Sequence, residues 1–405
     1  MKNHKILLIF SIAALTVFTL FFSYIQPLTA YAQEEEYIVV SNIQELNEAL
    51  GGNHKISGTT LTLKSDVDLN YKSIEIDNYQ ENKLTINLNG KTISKTSNSS
   101  YMFYLGHCDD SISHTDLYIK GTGMMKARND IFRLCWDNGY ENFIKPIFAG
   151  NISYSSVDGR VVYTDACVSM VISNGYFYSQ NNDYVISDTA MDIEYKNDWH
   201  VEKAVVKIAG GVIDGGCKIK VKNFTMTDGI INGDAEVSCY KSTFSGGIVN
   251  GSLIVDGADP VYLNIKGNIV FNKGIYLNTN ELITKISGGT ILAEDNGIVC
   301  NEYDPFYSKE DYPNLKKVPT KNKLYLNGGL ISVSASGGCG IFINDLYDDG
   351  WAAPLELHVN GGHIISAGNK GAYAIRSNDQ TLLVIGDNVR KKDIFSGFDT
   401  FMSNN

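Results

Sequence analysis

Two similar stretches decide the fold: "TDGIINGDAEV" at Thr227–Val237 and "SGGIVNGSLIV" at Ser245–Val255. A third copy, "AGGVIDGG", precedes them. Aligned on the glycine before each apolar pair, at Gly211, Gly229 and Gly247, the copies follow one another at intervals of 18 residues. A short, regular period indicates a repeat protein in which each unit buries its apolar side chains against the next unit.

The residues within one repeat alternate with the period of a β-strand. In "CKIKVKN", residues 217–223, three apolar side chains alternate with three lysines, which places the two sets on opposite faces of a strand. Residues one repeat apart are both apolar, as in the column Ile219, Val237 and Val255. Stacked repeats would therefore form parallel strands about 4.8 Å apart with apolar columns inside.

The repeat corners carry polar residues that suit such a stack. Asp214, Asn232 and Asn250 align, and a glycine follows each of them. Their side chains can hydrogen-bond to the next coil, and glycine turns the chain without steric cost. Parallel crossovers are right-handed in most folds, and the sequence does not keep the strict six-residue steps of left-handed helices. We predict an all-β, right-handed parallel β-helix, which is a solenoid.

The first residues predict export. Lys2 and Lys5 precede an apolar run at residues 6–22, and "AYA" at residues 30–32 is typical of a signal-peptidase site. We predict a signal peptide at residues 1–32 and a secreted or cell-surface protein, with an uncleaved membrane anchor as the alternative. No later stretch is apolar enough to span a bilayer, so we expect no transmembrane segment in the mature chain.

We predict that residues 33–405 form one β-helix domain. The stretch "SNIQELNEALGG" has capping-box spacing and one apolar helical face, so a short capping helix is expected at about residues 41–50. Such a helix would cover the open end of the stack. Two stretches without alternation, at about 301–320 and 345–354, are predicted to be loop insertions.

The net charge of the chain argues against nucleic acid as a partner. The net charge of the full sequence is −11, and removal of two lysines with the signal peptide makes it −13. An acidic chain repels polyanions, which argues against nucleic acid and, more weakly, against acidic polysaccharides unless a cation or a local basic strip mediates. The seven cysteines show no paired spacing. Cys217 and Cys239 fall in inward columns and are predicted core residues, whereas Cys108 and Cys135 could pair.

The signal peptide, the capping helix, "LNGKTI" at residues 88–93 and the recurrent "GGxI" pattern together resemble the secreted right-handed β-helix proteins of the pectate-lyase-like superfamily. The similarity is greatest to uncharacterised secreted or surface members from low-GC Gram-positive bacteria. This resemblance implies the fold over nearly the whole mature chain. It implies no single activity, because the superfamily includes pectate lyases, polygalacturonases, phage depolymerases and adhesins.

The sequence lacks the catalytic motifs of the enzymatic members of this superfamily. Asp109-Asp110 and Asp348-Asp349 are acidic pairs, but neither has the companion motifs that the resemblance to polygalacturonases requires. Calcium is one alternative, because "DLYDDGWAAPLE" at residues 345–356 has some EF-hand positions, although Tyr347 and Pro354 depart from that pattern. No catalytic residue, cofactor or metal site is therefore assigned.

The large aromatic residues of the irregular segments are the candidate binding residues: Trp136, Trp199, Tyr303, Tyr307 and Trp351. Flat rings held beside a ribbed wall suit stacking on sugar rings. The alternative is that these rings only pack the loops onto the wall. We predict an adhesive module that binds a polysaccharide or cell-wall glycan. A polysaccharide lyase or glycoside hydrolase with a non-standard site, and a passive structural repeat protein, remain the alternatives.

Overall fold

The computed structural model describes residues 37–40, 44–45, 60–76, 83–98, 101–106, 115–134, 144–164, 169–188, 204–257, 261–279, 282–301, 322–344, 355–366, 373–377, 381–387, 389, 395–396 and 402–403. The chain divides into two compact units, Met1–Tyr37 and Ile38–Asn405. The second unit contains all strands after β1.

The described residues contain 33 strands. The first sixteen are β1 (Tyr37–Val40), β2 (Thr60–Leu63), β3 (Val67–Asp68), β4 (Ile74–Ile76), β5 (Lys83–Asn87), β6 (Lys91–Lys95), β7 (Tyr101–Leu105), β8 (Thr115–Lys120), β9 (Thr122–Ala127), β10 (Asp130–Leu134), β11 (Ile144–Phe148), β12 (Asn151–Ser156), β13 (Val162–Thr164), β14 (Met170–Ile172), β15 (Tyr176–Ser179) and β16 (Tyr184–Asp188). The others are β17 (Val205–Asp214), β18 (Gly216–Ile231), β19 (Ala235–Phe244), β20 (Ile248–Val249), β21 (Leu253–Gly257), β22 (Val261–Ile265), β23 (Val270–Phe271), β24 (Ile275–Thr279), β25 (Leu282–Ala293), β26 (Asn296–Asn301), β27 (Asn322–Val333), β28 (Cys339–Asn344), β29 (Leu355–Ser366), β30 (Tyr373–Ser377), β31 (Leu382–Ile385), β32 (Phe395–Ser396) and β33 (Met402–Ser403).

Each strand pairs in parallel with a strand one coil further along the chain, so the coils stack and form three faces. Face 1 contains β2, β5, β8, β11, β14, β22, β31 and segments of β17, β18, β19, β25, β27 and β29. Face 2 contains β3, β6, β9, β12, β15, β20, β23, β32 and later segments of β17, β18, β25, β27 and β29. Face 3 contains β4, β7, β10, β13, β16, β21, β24, β26, β28, β30, β33 and the first segments of β18 and β19. This all-β, parallel-strand architecture is consistent with a β-solenoid.

The predicted apolar columns are confirmed. Ile219 is paired with Val237, and Val237 is paired with Val255. All three side chains are buried, because alternate residues of each strand point into the stack. Like residues therefore lie above one another in the core.

The Asx residues at the corner after face 2 form the predicted ladder. The Nδ2 group of Asn232 donates to Asp214 Oδ1 at 2.8 Å, and that of Asn250 donates to Asn232 Oδ1 at 2.8 Å. Asn272 continues the series by donating to Asn250 Oδ1 at 2.6 Å. Each coil is thus tied to the next by a side-chain amide as well as by its backbone.

The aligned glycines serve two different purposes. At the corner between faces 1 and 2, Gly211 has a φ of 80° and Gly229 a φ of 99°, a left-handed conformation that favours glycine. The glycines after the Asx residues were predicted to turn the chain. At Gly233, however, a Cβ atom would lie 2.5 Å from the backbone nitrogen of Gly216, so this glycine permits close approach of two coils.

The cysteine prediction is also confirmed for the described residues. Cys217, Cys239 and Cys339 are buried, Cys300 is half-buried, and all four are free thiols. Burial raises the pKa of the Cys217 thiol, which makes it a poor nucleophile. Cys108 and Cys135 lie outside the described residues.

One charged residue interrupts the apolar interior. Lys95 is 2% exposed, and its Nζ donates to Ser73 Oγ at 2.7 Å and to the carbonyl oxygen of Tyr101. Burial lowers the pKa of this amine. Two oxygen acceptors therefore compensate for the loss of water around the buried ammonium group.

Several predicted elements lie wholly or partly outside the described residues. Of the capping helix at 41–50, only Gln44 and Glu45 are described, with helical backbone, so the helix stays a prediction, as does the signal peptide. Asn301, the first residue of the loop predicted at about 301–320, belongs to β26, and the rest of that segment lies outside the described residues. Among the described residues, no helix has the length and apolar character needed to cross a membrane.

Candidate functional site

Several long connections run from the end of a face 3 strand to the start of the next face 1 strand, and four of them contain the aromatic residues predicted to bind a ligand. Residues 135–143 join β10 to β11, 189–203 join β16 to β17, 302–321 join β26 to β27, and 345–354 join β28 to β29. We call this line along the stack the insertion edge. Its described flanks are the last residues of face 3 and the first residues of face 1.

All five predicted aromatic residues belong to connections at the insertion edge. Trp136, Trp199, Tyr303, Tyr307 and Trp351 lie outside the described residues, so their contacts stay a prediction. The strands that flank them are described, and these strands attach all four segments to one edge. Sequence alone did not indicate that these residues share a side of the molecule.

In the middle of the stack the insertion edge is described throughout, because single residues connect face 3 to face 1 there. Lys222 and Tyr240 are these connecting residues, and both are half-buried. The Lys222 Nζ lies 4.9 Å from the centroid of the Tyr240 ring. The Tyr240 ring packs edge-on against Tyr262 of β22, with centroids 5.2 Å apart. An aromatic pair with a neighbouring ammonium group thus lies on the surface of the edge.

A second ring pair lies on face 1 where the insertions 302–321 and 345–354 return to the stack. Tyr325 of β27 is paired in register with His358 of β29. The two rings stack with centroids 4.7 Å apart and an angle of 18° between their planes. Within the described part of the chain, His358 Nε2 makes no hydrogen bond. That nitrogen is buried, so it is not available at the surface to bond a ligand.

Charged groups accompany this second pair. Lys323 Nζ lies 2.9 Å from Glu356 Oε2, and His358 Nε2 lies 3.5 Å from the same oxygen. The hydrogen bond to Glu356 raises the pKa of Lys323. The side chains of Lys323 and Glu356 are 31% and 21% exposed, so both groups are partly accessible from solvent. Such groups can bond to sugar hydroxyls.

The two ring pairs are arranged along the stack. Tyr262 is paired with Ile283, and Ile283 is paired with Lys323. Two rungs therefore separate Tyr262 from the coil that carries Tyr325, a distance of about 10 Å at the usual strand spacing. Tyr325 lies in the column of Asn264 and Lys285, two residues further along the strand than Tyr262, so the line that joins the two pairs crosses face 1 obliquely.

Charged side chains also pair between neighbouring coils, away from the insertion edge. Lys218 forms an ion pair with Glu236 on the next coil, and the Tyr184 hydroxyl donates to Glu236 Oε2 at 3.1 Å. Exposed ion pairs of this kind contribute little to stability. They give no indication of a catalytic lysine.

The calcium alternative gains no support from the described residues. Glu356 points outward from β29 and faces Lys323, whereas the rest of the EF-hand-like stretch lies outside them. Over the described ranges, no group of three or more His, Cys, Asp or Glu side chains could hold a metal ion.

Sequence reasoning missed Tyr325, His358 and Lys323 and considered Glu356 only as a calcium ligand or an outward strand residue, although the signal for all four was present. Aligning "NKLYLNGG" at residues 322–329 with "LELHVNGG" at 355–362 places tyrosine against histidine and lysine against glutamate. All four residues alternate with leucines, which gives their outward orientation. Aligned outward positions of successive coils therefore indicate which polar and aromatic side chains lie next to one another.

Comparison of the chain with protein families, curated proteins and solved structures found no match.

Proposed function

We propose that the chain is a secreted or cell-surface right-handed parallel β-helix whose insertion edge binds extracellular or cell-wall glycans and acts as an adhesive module. The observation that carries this proposal is the clustering of aromatic residues at one edge. Two described ring pairs lie there, and the connections that bear Trp136, Trp199, Tyr303, Tyr307 and Trp351 join the stack at the same edge.

The physical argument concerns the contact surface of a sugar. A pyranose has apolar faces and a polar rim, so it stacks on an aromatic ring while neighbouring polar groups bond its hydroxyls. Tyr325 and His358 supply rings, while Lys323 and Glu356 supply a donor and an acceptor within 2.9 Å of each other. This contact needs no net charge, which agrees with an acidic chain.

The proposal is tested with a panel of immobilised polysaccharides and a glycan array, scored for retention and for cleavage. Tyr325→Ala, Trp351→Ala and Tyr307→Ala should each weaken retention about tenfold or more, because stacking contacts at a hot spot are worth more than about 1 kcal/mol. Their unfolding midpoints are measured in parallel. Unchanged binding with lowered stability would show that these rings only pack the loops.

Tyr71→Ala is the matched control. Tyr71 is the most exposed of the large hydrophobic residues described, at 73%, and it lies in the turn between β3 and β4, away from the insertion edge. Its removal deletes an exposed ring of the same kind and should leave retention unchanged. Equal losses for Tyr71→Ala and Tyr325→Ala would indicate non-specific adhesion to aromatic surface.

Catalysis at the same edge is the second candidate function. The observation in its favour is that one carboxylate, Glu356, contacts both an amine and an imidazole, and such groups act as general acids and bases. A lyase would release unsaturated uronates and a hydrolase would release new reducing ends. If the wild type forms either product and Glu356→Gln does not, the edge is an active site and the function is catalysis rather than binding alone.

A further inference from the structure

A second cluster of outward side chains lies on face 3, in the N-terminal half of the stack. Tyr163 of β13 is paired in register with Arg133 of β10. The guanidinium carbon of Arg133 lies 5.0 Å from the centroid of the Tyr163 ring, and that of Arg160 lies 4.3 Å from it. Two guanidinium groups thus share one aromatic ring.

This concentration of positive charge is unusual for a chain with a net charge of −11. Like charges at one site repel each other, and an acidic chain has many carboxylates that could separate them. Even so, Arg160 forms no ion pair with any residue in the described ranges. Its donors are therefore available on a half-buried surface.

The nearest carboxyl groups form other contacts. Asp130 Oδ1 accepts the backbone N–H of Arg160 at 2.8 Å, and burial raises the pKa of Asp130, so this acid is less readily ionised than a surface aspartate. Asp158 pairs instead with Arg128, with Nε and Oδ2 3.1 Å apart. Asp130 thus positions the backbone of Arg160, and the charges of Arg160 and Arg133 lower the pKa of Asp130 against the larger effect of burial, so this carboxyl is the acid that faces the two guanidinium groups.

We propose that Arg133, Arg160 and Tyr163 form a subsite for a carboxylate or sulfate group of an acidic glycan. A guanidinium group binds such oxyanions through two parallel N–H donors, and the Tyr163 ring holds the two planes in place. This subsite is the local basic strip that an acidic chain needs in order to retain an acidic polysaccharide. The inference rests on the proposed glycan-binding function and names its substrate class.

The test compares three polymers with one backbone: dextran, carboxymethyl-dextran and dextran sulfate. The wild type should be retained more strongly by one or both acidic forms than by dextran, and the preference should fall with added salt. Carboxymethyl-dextran and dextran sulfate distinguish the two oxyanions. Equal retention of all three polymers would overturn the inference.

Arg160→Gln should weaken retention of the preferred acidic polymer about tenfold or more, because a charge-assisted contact is lost. Asp130→Asn should strengthen it, since the opposing charge is removed while the acceptor for the Arg160 N–H is kept. Arg128→Gln is the matched control, because it removes an equal charge from a guanidinium already paired with Asp158. Equal effects of Arg160→Gln and Arg128→Gln would refute a specific subsite.

Two further measurements keep the inference separate from the proposed function. Arg160→Lys retains the charge, and its retention should fall between that of wild type and Arg160→Gln, with circular dichroism confirming the fold of each variant. If a neutral glycan is retained in a Tyr325-dependent manner without any acidic preference, the subsite is wrong and the proposed function stands. If the acidic preference depends on Arg160 while Tyr325→Ala has no effect, the subsite stands and the insertion-edge proposal fails.

Discussion

Truncation of one core ring tests the stack most directly. Phe244 is fully buried, is paired in register with Met226 and Ile265, and contacts the rings of Phe224 and Phe271 at centroid distances of 5.2 and 5.5 Å. Phe244→Ala should lower the free energy of unfolding by about 3–5 kcal/mol, because it removes a large apolar side chain and leaves a cavity. Loss of two ring contacts places the effect in the upper part of that range.

The adjacent residue provides the control. Thr243 points outward between Thr225 and Asn264, so Thr243→Ala should change the free energy of unfolding by about 0.5 kcal/mol or less. Phe244→Leu should cost less than about 1.5 kcal/mol. Equilibrium unfolding in urea, followed by circular dichroism, would separate the variants by about 1 M or more in midpoint if m is about 3 kcal/mol/M. Equal losses for Thr243→Ala and Phe244→Ala would refute the assignment of inward and outward positions.

Two further predictions concern the corner ladder and a half-buried phenol. Asn250 takes part in two ladder hydrogen bonds, whereas Asn360, at the corner between faces 1 and 2, makes one amide hydrogen bond, to Asn327, so Asn250→Ala should cost about 1–2 kcal/mol in urea unfolding and Asn360→Ala about half as much; equal costs would contradict a continuous ladder at the corner after face 2. Burial, and then the charge of Glu236, raise the pKa of Tyr184 to about 12 from 10.0. The folded protein holds this proton more tightly, so the contribution of Tyr184 is present below pH 10 and is lost as the pH rises through about 12. Tyr184→Phe should therefore lose less stability over that range, and a curve identical to that of wild type would exclude the effect.

The repeat made the interior predictable. Because parallel strands place like positions directly above one another, a spacing of 18 residues was enough to place Val237 between Ile219 and Val255. The same parity places Lys95 inside, two residues after the buried Ile93. That position contradicts the usual preference of lysine for solvent, and only the neighbouring acceptors Ser73 and Tyr101 account for it. Ser73 belongs to the preceding coil, whereas Tyr101 follows six residues later on the same coil, and neither acceptor has a sequence signature.

The surface could be predicted only in part. Aromatic residues were sought in irregular segments, whereas the described ring pairs consist of residues within or directly beside strands, such as Tyr262 and Tyr325. Alternation gives the outward orientation of a residue, but the partner above it depends on the length of the coil between them. Tyr240 and Tyr262 are 22 residues apart and Tyr325 and His358 are 33 apart. Register along the stack therefore has to be known before a row of outward residues can be recognised.

The position of the insertions follows from how the three corners are built. At the corner between faces 1 and 2, glycines such as Gly211, Gly229 and Gly247 adopt positive φ values and fix the turn. At the corner after face 2, the Asx ladder ties successive coils through side-chain amides. In the coils that carry these turns and ladder bonds, extra residues at either corner would break a repeated contact, at a cost on the order of 1 kcal/mol for each hydrogen bond lost. The third corner requires only that a chain leave face 3 and return to face 1, so a connection of one residue or of twenty satisfies the stack equally. Additional residues at the insertion edge therefore cost only the slowly growing entropy of closing a longer loop.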